Sequence, residues 1–216
     1  MSALTTTAGA AAALLLAGCG AIQGVQSRLP PREPQPRPDA GEWAVVRDGA
    51  TRREKLYDGF VHRADATATW LSPTVREAAT RRLADWQAWA NDDLARALES
   101  DRVEAAKGEE FVLAFYTANP RHNDLDAKES VWRVEIDDGA TRSAASLVTE
   151  VKADATIKQL FPYVGPFDLV YRVKVPWTGA SLVGRPFVLR VAGALGKLDL
   201  DFGPDGKTAD RPHVAP

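Results

Sequence analysis

The 216-residue sequence is short of the groups that carry special chemistry: it has one cysteine, three histidines and one methionine. One cysteine excludes an internal disulfide, a multi-cysteine zinc site and a CxxC redox pair. His62, His122 and His213 are far apart in the chain and form no HExxH, so zinc-protease spacing is absent. Neither a Gly-x-Ser-x-Gly elbow nor a phosphate-cradling P-loop occurs. An excess of one charge sign is also missing: the formal net charge is −2, which speaks against a nucleic-acid binder working through a basic surface. No apolar run approaches the ~20 residues of a membrane-spanning helix. What is present is a 45% hydrophobic, 26% charged chain. That composition supports a globular core, and the length fits one domain with an appended segment.

The N-terminal segment carries the clearest pattern. No charged side chain precedes Arg28, and residues 8–17 are an uninterrupted run of Ala, Gly and Leu. The run has the length of a signal-peptide apolar core. It ends in Leu16-Ala17-Gly18 followed by the lone Cys19. This tetrapeptide resembles the lipobox of bacterial lipoproteins. The resemblance implies cleavage before Cys19, diacylglycerol on its sulfur and acylation, typically with palmitate, of the new amine. Two or more chains, at ~0.8 kcal/mol per buried CH₂, make a stable membrane anchor where one chain is marginal. Gly20, rather than Asp, after the cysteine implies the outer membrane. Residues 1–7 lack Lys and Arg and so depart from the usual positive start of an export signal.

Residues 20–41 have no hydrophobic period, and Pro30, Pro31, Pro34, Pro36 and Pro38 fall within nine residues. Proline at this density favours extended polyproline II, so the 19–41 segment reads as a lipidated cysteine and a tether spanning up to about 70 Å. At the other end, residues 203–216 read as a polar, flexible tail.

Between them, residues 42–202 read as one strand-rich domain. Residues 42–47 (EWAVVR) look like a short strand. Residues 55–71 alternate apolar and polar, with Phe60, Ala64, Ala66, Ala68 and Trp70 on one face, the pattern of a half-buried strand. Its alanine-rich face invites close approach of another element, for which a helix is expected. Ser72 as N-cap and Pro73 in the first turn then open a helix over about 73–106. Val75, Ala79, Leu83, Trp86, Ala90, Leu94 and Ala97 share its apolar face, with Trp86 as core anchor and Trp89 beside it. Downstream, six strands are predicted over residues 111–117, 130–137, 143–151, 167–175, 187–192 and 197–202, with turn signals between them and Asp154 capping a helical turn. The spacing predicts an α+β, mainly β fold: an immunoglobulin-like antiparallel β-sandwich with one long N-terminal amphipathic helix. The segments Asn123-Asp124-Leu125, Ser130-Val131-Trp132-Arg133, Phe161-Pro162-Tyr163 and Tyr171-Arg172-Val173-Lys174-Val175-Pro176 resemble a group of uncharacterised proteobacterial lipoproteins. That group implies fold and location, not an activity.

Candidate chemistry is sparse. Asn123, Asp124 and Asp126 lie in the polar loop 119–127 and offer oxygen ligands of the kind calcium takes, although Asn-Asp sequences also make turns by bonding their own backbone. Asp199, Asp201 and Asp205 are spaced superficially like a calcium loop, yet alternate with Leu198, Leu200 and Phe202 as the polar face of a strand. Two functions stay open. In the first, a lipid-anchored envelope module presents a β-sandwich to an envelope protein or glycan, with no catalysis, no cofactor beyond the lipid and no nucleic acid. In the second, a calcium-dependent binder or envelope enzyme assembles its site from scattered His and Asp residues.

Overall fold

The computed structural model describes residues 41–176 and 181–203, all within the compact unit Pro38–Pro216. The segments expected to be signal peptide, lipobox with Cys19, and all but the last residue of the tether, together with His213, Asp205 and the expected tail after Gly203, lie outside the described residues.

The chain opens with α1 (Glu42–Gly49), followed by the hairpin β1 (Thr51–Asp58) and β2 (Val61–Trp70). Helices α2 (Pro73–Trp86) and α3 (Asn91–Ala105) precede β3 (Gly108–Thr117). Then come a 3-10 turn (Pro120–His122), β4 (Trp132–Asp137), β5 (Arg142–Ala144) and β6 (Leu147–Val151). Helix α4 (Ala155–Leu160), β7 (Leu169–Pro176), β8 (Val188–Gly193) and β9 (Gly196–Asp201) complete it. The strands form two antiparallel sheets, ordered β1-β2-β3-β7-β6 and β5-β4-β8-β9. The fold is mostly β and consistent with a β-sandwich.

One core lies between the sheets. Ala64, Ala66, Ala68, Phe111, Leu113, Phe115, Tyr171 and Val173 of the first sheet meet Trp132, Val134, Leu189, Val191, Leu198 and Leu200 of the second. The partner of the alanine face is therefore the second sheet, not the expected helix. Methyl-sized side chains on β2 let β9 approach, as close β1–β9 and β2–β9 neighbours show. The helices cover the opposite face of the first sheet, where Trp43, Leu71, Val75, Leu160, Phe161 and Val164 pack on Val112, Ala114 and Val170. That is why β3 is buried along nearly its whole length.

Four local expectations are corrected. Residues 42–47 are helix, not strand. Trp43 and Arg47, four apart, share one helix face, and both donate to the Leu160 carbonyl, at 3.3 and 3.4 Å. Residues 55–71 are not one strand but the end of β1 and all of β2. Gly59 (φ 58°) reverses the chain, which leaves Phe60 fully exposed at the turn. Residues 143–151 are two strands in different sheets, because the chain crosses at Ala145 and Ser146, whose amides bond Val134 and Lys174 carbonyls on opposite sheets. Phe167 is exposed rather than on the core face of β7. A turn closed by the Gly165 amide donating to Asp168 Oδ2 (2.7 Å) delays that strand to Leu169.

The long helix over 73–106 is two helices. Its start is as expected, with the Val75 amide donating to Ser72 Oγ (3.4 Å). It stops at Trp86 because Ala88 takes a left-handed conformation (φ 49°) and the Trp89 amide returns to the Ala84 carbonyl (2.9 Å). This is the hydrogen-bond pattern of a Schellman stop, made with Ala where Gly is usual, so the sequence carries no stop signal there. Trp86 is half-buried under the Arg82 guanidinium (4.9 Å), and Trp89 is half-buried outside the helix. Helix α3 has no fully buried residue.

Candidate functional site at the loop end

The β1–β2 turn, loop 118–131, the residues before β7 and the β8–β9 turn gather at one end of the two sheets. The Ala118 amide donates to the Arg63 carbonyl (2.9 Å), joining the end of β3 to the β1–β2 hairpin. Gly196 of the β8–β9 turn lies so close to Leu56 that a Cβ there would sit 2.9 Å from two of its carbons. Trp132 meets Phe115 edge to face at 5.4 Å, which fixes the start of β4 at the same end.

Loop 119–127 is tied to the strands around it. Asn119 Oδ1 accepts from the Arg121 amide (3.2 Å), opening the 3-10 turn. Asn123 is the hub: its Nδ2 donates to the Phe115 carbonyl (2.8 Å), and its Oδ1 and backbone carbonyl accept from the Tyr171 hydroxyl (3.0 and 3.1 Å). Burial, reinforced by the Asp126 charge, pushes the Tyr171 hydroxyl well above its ordinary range, so it stays a donor. Trp132 Nε1 donates to the His122 carbonyl (2.7 Å) and Ser130 Oγ to Asp124 Oδ1 (2.9 Å).

The three sequence candidates are thus differently placed. The Asn123 side chain is engaged with Phe115 of β3 and Tyr171 of β7, and Asp124 with Ser130 of the same loop, whereas Asp126 is exposed. Among the described residues, no group of three or more His, Cys, Asp or Glu is placed to hold a metal ion. Asp199 pairs with Arg190 (2.7 Å) and Lys197 (3.0 Å), and Asp201 Oδ1 accepts from the Gly203 amide (2.8 Å). His62 lies between the rings of Tyr57 (5.0 Å) and Tyr116 (5.6 Å). His122 Nε2 is 3.4 Å from Asn119 Nδ2.

Two buried ionic features have no sequence signature. Glu110 is enclosed between Arg76 (2.7 Å) and Arg172 (2.5 Å), while Arg76 Nε also donates to the Leu71 carbonyl (3.0 Å). Two cations on one buried carboxylate lock α2 to the first sheet, and removing a partner from such a group leaves an uncompensated charge. Glu54 is the second. It is 3% exposed at the seam of edge strands β1 and β9, and its Oε1 has no hydrogen-bond partner. Burial, then the charges of Asp199 and Asp65, push its carboxyl up to about 7. Both were invisible because Glu54 and Glu110 sit in strands whose local pattern does not distinguish a buried acid from a solvated one.

A cavity of about 510 Å³ opens between α2, α3 and the start of β3, with Arg76, Arg81, Arg102, Leu98 and Val183 in its wall. Its arginines are each ion-paired, with Glu110, Glu77 and Glu99, so it offers no uncompensated cation to an anionic ligand. No helix among the described residues is long and apolar enough to cross a membrane. No protein-family model, no curated protein and no solved structure matches the chain.

Proposed function

We propose that this protein is a lipid-anchored lipoprotein of the bacterial cell envelope, held on the periplasmic face of the outer membrane through Cys19. It presents a two-sheet module to an envelope protein or glycan without catalysing a reaction. The observation that carries the reading is Leu16-Ala17-Gly18-Cys19 behind an uncharged apolar run. The organisation downstream supports it: a Pro-rich stretch leads directly to α1 at Glu42. The finer description, an immunoglobulin-like sandwich, draws support from short antiparallel strands and from the crossing between sheets at Ala145 and Ser146. The loop end also supports a binding role. Its polar groups hold a surface in one shape, and loops on a rigid scaffold are where contact residues concentrate.

The test is fractionation of the envelope before and after an alkaline carbonate wash. The wild-type chain resists the wash, because two or more acyl chains hold it, and the Cys19→Ala variant is released by it. Equal behaviour of the two chains contradicts the anchor. Crosslinking in intact envelopes then yields a discrete partner adduct, and recovery of neither an adduct nor a bound glycan contradicts the presentation role.

A further inference from the structure

We propose that the loop end of the two sheets is a docking face for a lipid bilayer surface. Among the described residues, nine large apolar side chains are exposed, and five of them lie at this one end. Phe60 (105% exposed) and Val61 (52%) form the β1–β2 turn, Phe167 (79%) precedes β7, Leu195 (39%) is in the β8–β9 turn, and Val131 (38%) precedes β4. The other four, Val45, Val103, Leu147 and Val183, are scattered over α1, α3, the start of β6 and the opposite end. Single exposed apolar residues need no explanation, but a cluster rimmed by polar groups marks an interaction surface.

The shape of the cluster and the chain around it favour lipid as the occupant. The exposed apolar side chains stand on turns and strand entries contributed by both sheets. Protruding apolar tips suit a fluid interface, into which they sink about 5–10 Å. The tips are held rigidly from behind: Gly196 is wedged against Leu56, and Asp58 and Arg63 pair at 2.7 Å beside Phe60. That pairing compensates the charge next to the most exposed ring, and a phosphatidylcholine surface, which has no net charge, separates the apolar contribution from that of the exposed loop charges Arg121, Asp126, Lys128 and Glu129. The length of chain before the described residues sets the reach. Residues 20–40 span up to about 65 Å when extended, enough for the domain to turn this end onto the membrane that carries Cys19. This last step rests on the lipid-anchor reading. Docking fixes the orientation of the module, with the cavity end and the α3 face turned away from the bilayer and towards a partner.

The experiment places an environment-sensitive fluorophore on Phe60→Cys, Phe167→Cys and, as the distal reference, Val183→Cys, each in the full chain. The lipidated protein is reconstituted in phosphatidylcholine vesicles with nitroxide-bearing lipids. A parallel set carrying Cys19→Ala is mixed with the same vesicles. Docking predicts blue-shifted emission and nitroxide quenching at 60 and 167 and neither at 183, in whichever set is vesicle-bound. Equal, water-like emission at all three positions on bound protein overturns the proposal while leaving the anchor intact. Loss of vesicle association in both sets overturns it as well. Shielding of position 60 without vesicles, accompanied by a dimer in sedimentation, overturns it in favour of a second copy of the chain. The anchor reading itself fails separately, by the absence of lipid mass on Cys19.

Discussion

Replacing Glu54 by Gln should make the domain more stable at neutral pH and remove part of its pH dependence. Glu54 is buried at the β1–β9 seam with an unpartnered oxygen, and burial together with Asp199 and Asp65 raises its carboxyl from an ordinary 4.5 to about 7. The neighbouring charges are otherwise compensated, Asp199 by Arg190 and Lys197 and Asp65 by Arg53. In the folded chain Glu54 therefore keeps its proton where the unfolded chain has lost it. Stability is full below an unfolded value near 4.5, falls as pH rises towards about 7 and levels off above it. At about 1.4 kcal/mol for each pH unit, the loss is about 3 kcal/mol, an upper bound because a relaxing seam admits water. Gln has the same shape and no charge at any pH, so the stability of Glu54→Gln relative to wild type should rise by about 2–3 kcal/mol between about pH 4.5 and about pH 8. Urea unfolding followed by tryptophan emission, repeated across that range, gives the difference directly and cancels the other titrating groups. A difference that stays flat with pH, or falls as pH rises, refutes the buried-acid account.

Two further substitutions test the local structure. Ala88→Gly should stabilise by about 1 kcal/mol, because a left-handed Ala is strained and Gly is not. A continuous helix would instead lose about 1 kcal/mol from the same change, so the sign of the shift in Tm decides between them. Tyr171→Phe removes the hydroxyl that serves both Asn123 acceptors. It should cost about 2 kcal/mol and speed amide exchange across residues 119–127, and an unchanged exchange rate there would contradict the role of Asn123 as hub.

The parts of the fold legible in the sequence were those set by local chemistry. Ser72 and Pro73 open α2, and Asp154 caps α4 through its Oδ1 on the Ile157 amide, because a cap is a contact made within three residues. The alternating residues of β4, β8 and β9 likewise report their own burial. Elements fixed by distant partners were not legible. α1 owes its helix to the Leu160 carbonyl 113–117 residues away. The destination of the alanine face depends on a sheet assembled from the second half of the chain. The stop at Ala88 breaks the usual preference for glycine, so its strain must be offset by the packing of α2 and α3. At the loop end, Asn and Asp marked a polar loop, but the side chains of Asn123 and Asp124 bond Phe115, Tyr171 and Ser130 rather than their own backbone. The tyrosine that makes Asn123 a hub comes from β7 and could not be paired with it by spacing. The buried acids Glu54 and Glu110 depend wholly on tertiary neighbours.

The anchor at Cys19 is the claim on which the account of function depends, and intact-mass and N-terminal peptide analysis of the protein purified from envelope membranes tests it most directly. The account predicts a chain that begins at Cys19, lacks the preceding eighteen residues and carries the mass of a diacylglycerol with an additional acyl chain. A chain that retains residues 1–18, or one that begins elsewhere with an unmodified Cys19 thiol, would contradict it.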